Sequence, residues 1–249
     1  MNDRKRAVRY GISFVILAVL LIFLFIWNVN SGSIHLSVQE ILNIIFRHQG
    51  DEISYNIVWE IRLPRILSVI ILGGALSVSG FLLQTFFNNP IAGPFVLGIS
   101  SGAKLIVAFL MIFLLSRSVS IGSGAMILAA FAGSMISMGF VLLVAKKVHN
   151  MSMLVISGVM IGYICSAITD FVVTFADDSN IVNLHNWSLG SFSGMTWGNV
   201  QTMVAVVLLT MVIVFFMSKP ISAYQLGETY AQNMGVNIKA FRILLILLS

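Results

Sequence analysis

Runs of about 20 mostly apolar residues recur along this chain, and each is long enough to cross roughly 30 Å of hydrocarbon as a helix. They cover Tyr10–Trp27, Ile66–Phe86, Phe95–Leu115, Ile121–Ala145, Met151–Phe175 and Val200–Met217, and a further run starts at Phe241 and reaches the chain end. Isolated strands cannot satisfy their backbone groups in lipid, and no run alternates strictly enough for a barrel wall. The expected fold is therefore all-α: a polytopic transmembrane helical bundle of six complete helices and a partial seventh. A soluble helical protein would need a polar shell. With 58% hydrophobic and 9% charged residues, against about 45–50% and 25% in ordinary domains, this chain cannot make one.

The net charge of +5 does not point to nucleic acid, because the charges sit between the apolar runs and form no single patch. Arg4, Lys5, Arg6 and Arg9 precede the first run. It is too long for a typical signal h-region and leads into Trp27-Asn28-Val29-Asn30 without a small-residue cleavage pattern, so it reads as a retained first helix. With the N-terminus in the cytoplasm, nine Lys/Arg lie inside and four (Arg47, Arg62, Arg65, Arg117) outside, as the positive-inside rule requires. The single Cys165 lies within an apolar run and reads as a small buried hydrophobe; it offers neither a disulfide framework nor a thiol metal cluster.

Three connecting segments exceed plain turns. Ser31–Glu60 contains Ser37-Val38-Gln39-Glu40, a capping-box pattern that should start a short helix. Ile181–Trp197 mixes aromatics with Gly190 and Gly194 and reads as a short helix near the surface. Ser218–Lys239 carries Tyr224, Leu226, Tyr230, Met234 and Val236 in short helices broken at Gly227 and Gly235, either a handle for a motor protein or a surface connector. Small residues crowd the helices: Gly73, Gly74 and Gly80, then Gly98 and Gly102, then Gly133. They allow close helix approach and imply a tight bundle.

The stretch Arg62-Leu63-Pro64-Arg65, then Gly73-Gly74-Ala75-Leu76-Ser77-Val78-Ser79-Gly80, Gln84, Asn89-Pro90-Ile91-Ala92-Gly93-Pro94 and Leu97-Gly98-Ile99-Ser100-Ser101-Gly102-Ala103 resembles the FecCD/BtuC family of ABC importer permeases. Ser157-Gly158, Cys165-Ser166-Ala167, Trp187-Ser188-Leu189-Gly190 and Leu226-Gly227-Glu228 continue the match in the family's order. The resemblance implies a type II ABC importer permease fold over residues 1–249, which import iron siderophores, haem or corrinoids across the bacterial cytoplasmic membrane. It implies a second permease subunit, two cytoplasmic ATPases and an external substrate-binding protein as partners. Family members have about ten such helices, so the chain reads as C-terminally incomplete, as from a gene fragment or an early stop.

The same resemblance assigns roles. Arg62 and Arg65 would dock acidic residues of the binding protein, where the residues alone also suit interfacial anchoring by snorkelling. Asn150, Met151 and Ser152 would form an inner gate, or simply a helix cap. Met160, Tyr163 and Ser166, with Met153 and Thr169, would line the pathway on the fifth helix, although their spacings do not let all of them share one face. Leu226, Gly227, Glu228, Ala231, Met234 and Gly235, within the 218–240 segment, would couple to the ATPase. Lys104 and Asp170 are ionisable groups near the ends of apolar runs, suited to snorkelling or surface exposure. His185 stands without a partner cluster, and no metal site is expected.

The chain lacks a G-x-x-x-x-G-K-[ST] loop and an H-E-x-x-H motif, so it is expected to be a transporter subunit and no enzyme, with no bound cofactor; ATP and Mg would sit on the partner ATPase. Iron–siderophore cargo is favoured because Asn89–Gly98 looks closer to siderophore members than to corrinoid ones; haem and corrinoid remain the alternatives. An ion-coupled carrier would need internal repeats or charged midplane sites, which the sequence does not offer. A non-transporting remnant or scaffold is the third reading.

Overall fold

The computed structural model describes residues 3–32, 34, 36–48, 50–91, 93, 98–115, 123–145 and 151–249. Among them there are twelve α-helices and two π-helical turns and no strand. The helices are α1 (Asp3–Asn30), α2 (Val38–Arg47), α3 (Glu52–Asn56), α4 (Leu63–Phe87), α5 (Ile99–Leu110) and α6 (Ser123–Ala145), then α7 (Met151–Val173), α8 (Asp178–Leu189), α9 (Trp197–Phe216), α10 (Ser218–Gln225), α11 (Glu228–Asn233) and α12 (Ile238–Leu248). The π turns cover Ile57–Arg62 and Met111–Leu115.

Five helical stretches are long and apolar enough to cross a membrane: Lys5–Asn30, Glu52–Phe87, Gly124–Val144, Met153–Val173 and Trp197–Phe216. Their large apolar side chains are widely exposed, among them Phe14, Phe131, Phe171 and Phe215, as expected of surfaces solvated by lipid. The expected third run is shorter as a helix. Gly98, at φ 70°, caps α5, so the helix starts at Ile99, and Phe95–Leu97 lie outside the described residues.

The second span departs further from expectation. Glu52–Phe87 is one helical stretch of 36 residues, whereas the sequence reading takes Ser31–Glu60 as a connecting segment and starts the span at Ile66. Pro64 lies inside this stretch. It follows the π turn, in which the Leu63 N–H reaches Val58 O, and such a widened turn is one way for a helix to pass a proline ring. Asp51 starts the stretch, its carboxylate accepting from the Ser54 N–H at 3.1 Å. The Ser37–Glu40 capping box forms as expected: the Ser37 hydroxyl accepts from Glu40 N at 3.2 Å and Glu40 accepts from Ser37 N at 2.7 Å.

The chain divides into two compact units. The first comprises Met1–Gly73 and Phe192–Leu208. Its core joins Val29, Ile41, Ile44, Val58, Leu63 and Ile66, with Trp59 and Trp197 packed against them. Trp197 donates its indole N–H to Trp59 O at 3.0 Å, and the two rings lie 5.5 Å apart. The second unit comprises Gly74–Ser191 and Leu209–Ser249. There α5 packs on α6 and α7, and Val107, Ala108, Val172 and Leu184 form one core cluster. A second cluster joins Leu83, Phe87, Met138, Leu154, Ile221 and Leu245.

Candidate functional site

The two arginines expected to act as a docking pair have different fates. Arg62, in the π turn, is 8% exposed. Its Nη1 donates to Val29 O at 2.6 Å and its Nη2 to Ile34 O at 2.7 Å. Val29 lies in the last turn of α1, whose carbonyls have no partners within the helix, and a cation there also meets the negative end of the helix dipole. Gly32 gives the guanidinium its room, since a Cβ at that position would stand 2.8 Å from Arg62 Cζ. A buried guanidinium with two carbonyls in its fork ties chain segments together, whereas the docking expectation needs it presented to a partner. Arg65 is exposed.

On α7 the side chains sort into two stripes. Met153, Met160, Tyr163 and Ser166 are exposed, Tyr163 by 69%. Leu154, Gly158, Gly162 and Thr169 are buried, and Thr169 returns its hydroxyl to Cys165 O at 2.8 Å. Thr169 therefore leaves the expected pathway set, while Met160, Tyr163 and Ser166 stay together. Ser166 also approaches Ser101 at 3.4 Å between hydroxyl oxygens. Asn150 lies outside the described residues, as do the side chains of Met151 and Ser152.

The buried stripe of α7 meets the start of α5 at glycine. A Cβ on Gly98 would fall 2.7 Å from Gly162 N and 2.8 Å from Gly158 O, and its φ of 70° is already one that side chains resist. Ser137 of α6 donates to Gly98 O at 3.0 Å. Gly102 and Gly133 repeat the device between α5 and α6, where a Cβ on Gly102 would meet Gly133 O at 2.7 Å. Small-residue crowding in the sequence thus becomes two specific backbone crossings.

In the expected coupling segment, α10 and α11 are hinged at Gly227, whose φ is 126°, and α11 ends before Gly235 at φ 85°. Ala231 is fully buried in the core cluster, whereas Leu226 and Met234 are 72% and 65% exposed. Glu228 is not a bare surface charge. Its Oε1 accepts from the Tyr224 hydroxyl at 3.0 Å and pairs with Arg242 of α12. Arg242 Nε donates in turn to the Tyr224 oxygen at 3.1 Å. Burial raises the Tyr224 phenol above its ordinary value, with the Arg242 hydrogen bond opposing the shift. Gln225 donates to Thr85 Oγ1 of α4 at 3.2 Å. Sequence reasoning took Tyr224 only as an apolar position of the segment and missed the polar roles of Arg242 and Thr85. The four-residue spacing of Tyr224 and Glu228 is a helical signal, but nothing in the pattern announces Arg242.

A sequence profile of the FecCD transport family matches residues 20–249. The hemin transport system permease protein HmuU of Yersinia pestis is 30% identical over 94% of this chain and 69% of its own length. The vitamin B12 import system permease protein BtuC of Salmonella typhi is 34% identical over 76% of this chain and 57% of its own length. The fold matches a solved structure of "a putative metal-chelate type ABC transporter" in an inward-facing conformation, with a TM-score of 0.77 and 24% identity over 93% of this chain and 70% of the other. These matches confirm the expected all-α permease fold and a multi-pass membrane protein. The chain belongs to the FecCD transport family, the membrane-spanning permeases of ATP-binding-cassette importers.

Proposed function

We propose that this chain serves, with a second permease subunit, in ATP-driven import of iron–siderophore complexes across a bacterial cytoplasmic membrane. The observation that carries this reading is the family match over residues 20–249. The proteins it resembles are named for hemin, vitamin B12 and metal chelates, and a ferric siderophore is a bulky metal chelate of the same kind. The exposed face of α7, with Met160, Tyr163 and Ser166, supplies soft, adaptable lining for irregular cargo. Leu226 and Met234, projecting beside α11, supply apolar contacts for an ATPase groove. ATP and Mg belong to that ATPase, and this chain acts without covalent chemistry. Arg65 is the remaining docking cation for an external binding protein. The lysine and arginine distribution supports a cytoplasmic N-terminus and a cytoplasmic 218–240 segment.

Haem or a corrinoid is the second reading, favoured by the names of the relatives. Cells lacking the native gene, complemented with the permease and its partner subunits, should take up iron on one siderophore class in an energy-dependent way. Arg65→Ala should weaken binding-protein association without lowering the abundance of the permease. Uptake confined to haem or corrinoid overturns the cargo and keeps the mechanism. No uptake of any of these, with all subunits present in the membrane, overturns the proposal in favour of a non-transporting remnant.

A further inference from the structure

The triad of Tyr224, Glu228 and Arg242 spans a hinge. Tyr224 lies near the end of α10, Glu228 is the first residue of α11, and Gly227 between them holds a φ that only glycine adopts readily. Without a brace, rotation at Gly227 would let α11 move independently of α10. The Tyr224–Glu228 hydrogen bond closes across that joint. Arg242 then grips both sides of it from α12, through Nε to the phenol and Nη2 to the carboxylate. The Tyr224 ring packs on Phe241, the residue beside Arg242, at 5.2 Å. The contact is therefore part apolar and part ionic. The Gln225–Thr85 bond ties the same end of α10 to α4.

We propose that Tyr224, Glu228 and Arg242 are positioning residues that lock the Gly227 joint, so that a push on α10 and α11 displaces α12 instead of being absorbed by the hinge. This rests on the reading of α10–α11 as the ATPase contact. The triad neither binds cargo nor touches nucleotide. It sets how much transport each hydrolysis event produces. An ion pair that is about two-fifths exposed on each side (35% and 43%) adds little stability by itself, so its contribution lies in geometry: two donors of one planar guanidinium fix two acceptors on opposite sides of a flexible residue.

The test uses the permease assembled with its ATPase and binding protein in proteoliposomes, with ATP hydrolysis and cargo uptake measured on the same preparation. Arg242→Gln should lower uptake per ATP by about fivefold or more, the lower end of usual coupling factors, with hydrolysis within about twofold of wild type. Arg242→Lys, which keeps the charge but not the fork, should fall between the two. Tyr224→Phe removes one hydroxyl and keeps the packed ring; it should shift the ratio in the same direction, and it decides the matter if Arg242→Gln does not accumulate. Uptake and hydrolysis falling in parallel would overturn the proposal and make the triad part of the ATPase contact surface. An unchanged ratio in the variants overturns it as well. Failure of the wild-type permease to bind any ATPase sinks the underlying coupling reading, and that is visible before any variant is made.

Discussion

Gly133 and Gly139 lie on the same helix, α6, and substitution of each by alanine should have opposite consequences. A Cβ on Gly133 would stand 2.8 Å from the carbonyl carbon of Gly102 and 2.9 Å from the Cα of Ala103, whereas a Cβ on Gly139 would meet nothing within 4 Å. Both substitutions gain about 1 kcal/mol of helix propensity, and that gain cancels in the comparison. What remains is overpacking at Gly133, which usually costs about 1–3 kcal/mol. Here the obstacle is backbone, which no rotamer change can relieve, so about 2–3 kcal/mol is expected. At about 2–4 °C per kcal/mol for a chain of this size, Gly133→Ala should melt roughly 4–12 °C below Gly139→Ala. Thermal unfolding of both variants in lipid nanodiscs, followed by intrinsic fluorescence, measures the gap. Gly102→Ala should resemble Gly133→Ala, and the double variant should cost less than the sum, because one contact is lost twice. Equal melting of Gly133→Ala and Gly139→Ala would refute the reasoning, since the α5–α6 crossing would then not depend on the missing side chain.

Three further outcomes are expected. Arg62→Met should strip Val29 O and Ile34 O of their donor and destabilise the protein by about 2–6 kcal/mol, from about 1–3 per orphaned group; wild-type melting of this variant would return Arg62 to a surface role. The Glu40 carboxyl is held below the ordinary glutamate value, first by the Ser37 backbone N–H and then by the Ser37 hydroxyl. Because a lowered folded-state value means the folded form resists protonation, the stabilisation of α2 is complete above the ordinary value of about 4.3 and fades as pH falls through the lower folded value. Hydrogen exchange of the Ile41–Ile44 amides, corrected for intrinsic rates, should accelerate in that acid window in the wild type and be flat in Glu40→Gln; the same slope in both would exclude the capping box as its source. Trp197→Phe should lose the hydrogen bond to Trp59 O and about 1 kcal/mol, read as a lower melting temperature with an altered Trp59 emission, and an unchanged melt would show that ring packing alone holds the cluster.

Much of the fold is legible because lipid imposes a simple rule on local composition. The runs at Tyr10–Trp27, Ile121–Ala145, Met151–Phe175 and Val200–Met217 reappear as α1, α6, α7 and α9 with shifted ends. Local polar chemistry is legible too: the Ser37–Glu40 box is a contact between residues three apart, and Gly227 and Gly235 break the helices where positive φ is needed. The polar half of the second span was not legible. Asp51, Glu52 and Glu60 end any hydropathy window, and the helix continues there because Val58 and Trp59 pack into the core with Trp197, far along the chain. The candidate site divides along the same line. Met160, Tyr163 and Ser166 share a face as their spacing allows, while the separation of Arg62 from Arg65 depends on a π turn that adjacent positions do not reveal.

Apolar runs, caps and glycine breaks act within a turn or a bilayer thickness, so the residue order alone established a multi-pass helical membrane protein and marked the segments of interest. The order in which those residues resemble a permease family added the transport reading. The partner of each polar group was settled only once the helices packed. Arg62 finds Val29 from 33 residues away, Gln225 finds Thr85 from 140, and Arg242 finds Glu228 from 14. No periodicity encodes such distances, because a guanidinium bonds whichever acceptors the packed backbone leaves within reach, and burial then makes that choice costly to undo.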